Sequence, residues 1–262
     1  MYKLFLPLVI LFTLPCVAQE KSQANKSRKE LHRQKIDEIA KQEEEGVIKY
    51  KKHTVFGAKL TSDGYGGSLE FGRARSVRKA LLFQLDITER KHVKERKELP
   101  GQFQTSPTIY GKVNYFYPVK LGVQQQLLLG NKSNKNGVSV TANFGGGLSL
   151  GLLRPYIIEV LTADEKLLDV TFESDPIEFF TLDHHHHGPT LFKGWDQLTV
   201  VPGIYVKPSV RFDYGKYNEM VNAIEVGLTA EYFSKKIEQM AFIEPKSFFI
   251  GGYVSILLGR RR

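Results

Sequence analysis

From Lys79 to Thr88 the chain changes character at every step. Leu81, Phe83, Leu85 and Ile87 fall on one face, and Gln84, Asp86 and Thr88 fall on the other. A period of two means a β-strand with unlike surroundings on its two sides. Ten segments read as strands: 54–62, 65–75, 79–92, 108–117, 119–130, 137–152, 156–161, 198–214, 220–233 and 247–259. In the 198–214 segment Val200, Ile204, Val206, Val210 and Phe212 share one face. Tyr205, Lys207, Ser209, Arg211 and Asp213 share the other. Such alternation in strands of roughly ten residues fits a wall with lipid outside and polar packing inside. The fold class implied is all-β, an antiparallel transmembrane β-barrel of about 10 strands. A soluble β-sandwich or lipocalin-like barrel, with its apolar face inward, produces the same alternation.

The start of the chain supplies a second constraint. Lys3 precedes an apolar run from Leu4 to Leu14, followed by Pro15, Cys16, Val17 and Ala18. This reads as a secretory signal peptide over 1–18, cut after Ala18. The run is too short for a membrane anchor, which needs roughly 20 apolar residues. Cys16 is the single cysteine, so a processed chain has neither disulfide nor thiol chemistry. Residues 19–47 are dense in Lys, Arg and Glu, with a thin stripe of Leu31, Ile36, Ile39 and Ala40. They read as a short helical or disordered charged periplasmic arm. The barrel is then 48–262, with a long outer loop at about 162–197.

The connections sort by length. With both ends in the periplasm, those near Ser76, Pro118, Pro155 and Lys216 are short and on one side. Those near Lys97, Lys132, His185 and Glu238 are longer and on the other, apart from a tight turn at Ser62-Asp63-Gly64. Asp-Gly tolerates positive φ, which suits that hairpin. Gly145, Gly146 and Gly147 interrupt a strand and mark a bend or close packing of the wall. No phosphate-loop pattern follows them.

Together with these features, the segment Tyr115-Phe116-Tyr117-Pro118-Val119-Lys120-Leu121-Gly122 resembles small outer-membrane β-barrels of Bacteroidota-type bacteria, over about 51–262. The resemblance implies a cell outer membrane location. The terminal Leu257-Leu258-Gly259-Arg260-Arg261-Arg262 departs from it, because many such barrels end on an aromatic residue.

Candidate chemistry is sparse. The polar strand faces carry Glu70, Asp86, Lys112, Lys120, Lys207, Arg211, Glu225 and Glu231. Both signs in a narrow interior are expected to pair and plug the lumen, since an unpaired buried charge is costly. The other reading of the same faces is a narrow polar channel. Four histidines, His184 to His187, follow Asp183. His184, His185 and His186 are the residues expected to give weak loop affinity for a metal ion. Asp183 with His184 is the one cluster for a rim-located hydrolase, but a long loop holds an acid–base pair poorly, and no enzyme is expected. His32, His53 and His92 read as surface residues. No cofactor is expected.

The net charge of +9 suits outer-membrane lipid and lipopolysaccharide as partners, and nucleic acid is not expected. Arg90, Lys91, Lys94, Arg96 and Lys97 read as a solvated tip or a contact for lipopolysaccharide phosphates. Phe172, Phe179, Phe180, Leu191, Phe192 and Trp195 are too apolar for a purely disordered loop. They suggest a lid over the barrel mouth or an envelope protein partner, reached through this outer loop or the N-terminal arm. The function expected is a structural or interaction role, as an accessory to a larger envelope or secretion assembly. A passive pore is the alternative.

Overall fold

The computed structural model describes residues 30, 51–76, 78–98, 107–132, 137–161, 166–180, 185–187, 189–190, 192–217 and 219–262. The signal segment 1–18 and, apart from residue 30, the arm 19–47 lie outside the described residues.

Eight antiparallel strands close on themselves. They are β1 (Lys52–Thr61), β2 (Gly64–Ala74), β3 (Lys79–Arg90), β6 (Asn114–Gly130), β7 (Ser139–Pro155), β11 (Thr199–Asp213), β12 (Met220–Ile237) and β13 (Lys246–Arg261). Neighbours in sequence are neighbours in the wall, and β1 pairs with β13 to seal it. Short strands β4 (Lys97–Glu98) and β5 (Thr108–Ile109) pair with each other outside the wall. So do β8 (Ile158–Leu161), β9 (Leu167–Val170) and β10 (His185–His187), beside a short helix α1 (Pro176–Phe180).

Eight strands replace the ten expected, for two reasons. Pro118 does not turn the chain. It sits inside β6 opposite Gly151, while the ladder to β3 stops at Ile87–Val119 and resumes in the same register at Arg90–Phe116. The missing N–H costs only the pairs beside it, so segments 108–117 and 119–130 merge above Asn114. Tyr156 to Leu161 never joins the wall, since β8 leaves it for the small sheet. Two connections therefore change ends. The 131–138 connection joins 75–78 and 214–219 at the end where β1 begins and β13 finishes. The other end carries the turn 62–63 and the long segments 91–113, 156–198 and 238–245. The large loop thus begins at 156, not 162. The tight turn forms as expected, but not through positive φ at Gly64. That glycine lies in β2, and a Cβ on it would strike the Glu89 carbonyl of β3.

Partners can be followed round the wall from Phe56 through Leu69, Leu85, Leu121, Leu148, Ile204 and Tyr232 to Phe248. Phe56 itself pairs with Leu258, ten residues beyond Phe248. A stagger of ten on eight strands, with a rise of about 3.3 Å and a spacing of about 4.8 Å, tilts the strands about 40° from the axis. The ten residues of β1 then rise about 25 Å, the height of a lipid-facing band.

Every residue on that path is apolar and faces outward. Leu60, Leu148 and Ile204 are 69%, 63% and 60% exposed, whereas Glu70, Lys207 and Glu225 are 1%, 0% and 1%. The barrel is apolar outside and polar inside, which excludes the lipocalin-like arrangement. The alternation read in 198–214 holds, with Tyr205, Lys207, Ser209, Arg211 and Asp213 buried. No helix among the described residues is long and apolar enough to cross a membrane. Close packing explains the central glycines: Gly145, Gly146 and Gly147 lie between β6 and β11. A Cβ at Gly122 would fall on the Tyr205 hydroxyl.

Ile204→Arg places a cation at mid-wall on the outward face. Reversible folding into phosphatidylcholine vesicles should lose about 2–4 kcal/mol. Unchanged stability would mean that this face does not meet lipid.

Candidate functional site

The lumen is crossed by side chains that reach from one wall to another. Arg211 on β11 donates to both Glu70 oxygens on β2, at 2.8 and 2.6 Å, and to Glu225 on the adjacent β12 at 2.7 Å. His53 Nε2 lies 2.9 Å from Glu70 Oε1, and Tyr253 and Asn143 donate to Glu225 at 2.7 and 3.0 Å. Further along, Lys207 donates to Gln84 at 2.9 Å and lies 3.4 Å from Asp86, which also takes the Lys59 ammonium. Toward the long loops, Glu231 accepts from Lys120 and Arg90, both at 2.8 Å, and Arg90 also pairs with Asp63. The cations Lys59, Arg90, Lys120, Lys207 and Arg211 thus face Glu70, Asp86, Glu225, Glu231 and Asp63.

Above the charges lies an aromatic stopper. Phe116, Phe233 and Phe249 pack within 5.4–5.9 Å of one another between ring centres, with Leu153, Val201 and Ile237. The Arg90 guanidinium sits over Phe249 at 4.9 Å and Phe116 at 5.7 Å, joining the stopper to the ion pairs.

The long loops form a folded cap with its own core of Ile109, Tyr156, Ile158, Val160, Val170, Phe179 and Met240. Three connections are tied together in it. Tyr156 N donates to Val113 O, Val113 N to Gln239 O, and Ala241 N to Gly111 O. Arg154 lies over Tyr115 at 4.4 Å and Trp195 at 5.2 Å, and donates to the carbonyls of Thr190 and Lys193.

The structure brings Glu70, Asp86, Lys120, Lys207, Arg211, Glu225 and Glu231 together in the lumen, as expected. Lys112 is the exception. It precedes β6 and lies in the cap, 2.6 Å from Glu95. Burial pushes its ammonium below the usual lysine range, and the Glu95 carboxylate works against that shift. His53 is buried on Glu70, not at the surface. Its neighbours Lys52 and Thr54 gave no hint, because β1 alternates weakly. Arg90 leaves the expected basic tip and turns into the lumen. Lys59 and Tyr253 also line the lumen, in strands whose faces the sequence did not sort.

Phe172 and Phe179 join the cap core, Trp195 stacks on Arg154, and Phe192 is exposed. The Phe180 side chain and Leu191 lie outside the described residues. Asp183 and His184 also lie there, so the rim cluster and the first residue of the metal reading are not described. The backbones of His185 and His186 belong to β10, which pairs with β8 through His185 and His187, but their side chains are outside the description. Among the described residues no group of three or more His, Cys, Asp or Glu could hold a metal ion.

No protein-family profile matches the chain, and no characterised protein matches it in sequence. Solved structures similar to it include Neisserial surface protein A, at 11% identity over 80% of this chain and 96% of that one, with a TM-score of 0.37. The N-terminal β-barrel domain of Pseudomonas aeruginosa OprF is 10% identical over 79% and 98%, with a TM-score of 0.34. Ail, the attachment invasion locus protein of Yersinia pestis, solved with the heparin analogue sucrose octasulfate, is 8% identical over 82% and 100%, with a TM-score of 0.36. At such values they add nothing to what the chain's own barrel shows, and the Bacteroidota likeness finds no support among them.

Arg211→Met leaves Glu70 and Glu225 buried without their shared cation. Equilibrium unfolding should show a loss of about 3–5 kcal/mol. Glu70→Gln and Glu225→Gln added to it should restore most of that. A single variant as stable as the parent would show that the network carries no stability.

Proposed function

We propose that the chain is an outer-membrane β-barrel that works as a closed scaffold and not as a pore or an enzyme. The observation that carries this reading is the filled lumen, where among the described residues five cations meet five carboxylates and an aromatic stopper packs at the long-loop end. An inside-out wall needs an apolar surround, and a bacterial barrel of this size finds one in the outer membrane. Eight strands leave an interior just wide enough for side chains to fill. Ion transit would have to break paired, desolvated charges and displace the packed rings of the stopper.

In this reading both chain ends face the periplasm and the cap faces outward. The cap keeps apolar side chains in solvent, with Val93, Ile177 and Phe192 each more than four-fifths exposed. It is therefore the surface proposed to meet an envelope protein partner, with lipopolysaccharide around the wall and the N-terminal arm as a second proposed route to a partner. An accessory role in a larger envelope or secretion assembly follows from a barrel that transports nothing. The four-histidine loop is assigned at most weak metal affinity.

Single-channel recording of the refolded chain in planar bilayers tests this. A folded barrel, shown by heat-modifiable gel mobility, should insert and stay electrically silent. Steady unitary conductance would overturn the closed scaffold and make the narrow pore the function.

A further inference from the structure

The described residues fill the barrel in the middle and at the cap, but leave space at the end where β1 begins and β13 finishes. There a cavity of about 220 Å³ opens between the 75–78 turn, the end of β6, the start of β7 and the end of β11. Exposed Arg75, Ser76, Arg78, Lys79 and Asn131 form its rim. Buried His53, Ser139, Arg211 and Asp213 lie deeper, with the largely covered Arg261.

The cavity is unbalanced in charge. Among the described residues its lining holds Arg75, Arg78, Lys79, Arg211 and Arg261 against Asp213 alone. That carboxylate is already occupied: one oxygen accepts from Gly215 N at 2.9 Å and lies 3.6 Å from the Lys132 ammonium, and the other takes Arg261. Arg211 is likewise held by Glu70 and Glu225. Arg75, Arg78 and Lys79 have no carboxylate partner among the described residues. The surroundings do not correct this. The described parts of the three connections at this end add Lys132 and Lys216 against Glu219. A concave site lined by one sign of charge, with low-dielectric walls, concentrates the opposite ion.

We infer that this cavity is a binding site for a phosphate group on a soluble molecule. Two guanidinium forks and an ammonium at the rim can each give a charge-assisted hydrogen bond to a tetrahedral oxyanion. The volume holds one phosphate with several waters, a water's share being about 30 Å³. A phospholipid does not supply the group, because its acyl chains lie against the outer wall while the cavity opens inside the ring of strands. The inference goes beyond the closed-scaffold reading, which it needs only to say which compartment supplies the ligand.

The test is isothermal titration of the full chain, refolded in uncharged detergent, with inorganic phosphate against chloride at matched ionic strength. Heat-modifiable mobility confirms the barrel for every protein used. Binding should be saturable at one phosphate per chain. It should weaken at least tenfold in the Arg75→Ala, Arg78→Ala, Lys79→Ala triple variant and stay unchanged in Lys235→Ala, Lys236→Ala at the opposite end. Arg78→Gln alone, which changes only an exposed rim residue, should weaken it severalfold, so the inference stands or falls even if the triple variant does not fold. No saturable heat, or equal binding by a folded Arg78→Gln and triple variant, overturns it. So does binding seen only to phosphatidylglycerol vesicles and not to free phosphate, which would make these cations a lipid collar.

Discussion

Arg211 spans the barrel from β11 to reach Glu70 on β2, and most of the structure follows from the need for that reach. Inward positions in the middle of a wall made to face lipid are mostly polar, and eight strands enclose too little space to hydrate them. Inward charges must therefore find one another across the lumen. Lys207 with Asp86, and Glu231 with Lys120 and Arg90, repeat the solution at successive heights. The cross-links tie non-adjacent strands together, which backbone pairing alone does not do.

The same constraint grades the barrel from end to end. Toward the long loops, polar pairing gives way to Phe116, Phe233 and Phe249, and then to a cap with its own apolar core. Toward the end where β1 begins, Asp213 and Glu70 are each committed to cations, and among the described residues the rim cations Arg75, Arg78 and Lys79 meet no carboxylate. One molecule is thus sealed on one face and open, basic and concave on the other.

Much of the wall was legible in the sequence because its period of two is strong. The faces of β11 were read residue by residue and hold. Strand number was not legible. Pro118 looks like a break, and only the tertiary register shows that its absent N–H falls where β3 pairing can lapse. Tyr156 to Leu161 has strand character, but nothing local says which sheet it joins. The site was half legible: charges of both signs on inward faces announce pairing, and seven of the eight residues named on those faces do line the lumen. The pairing itself was hidden, since Arg211 and Glu70 are 141 residues apart in sequence. So was His53, whose burial is decided by Glu70 on the next strand and not by its own neighbours.

The account turns on which face of the wall meets lipid. Single spin labels at Ile204, Val206, Val210 and Phe212, with one at Ser209 for contrast, can be compared in reconstituted bilayers. The four outward labels should be relaxed by oxygen dissolved in the lipid and shielded from a water-soluble nickel chelate, and Ser209 should be reached by neither. Outward labels open to the nickel chelate would contradict an inside-out barrel.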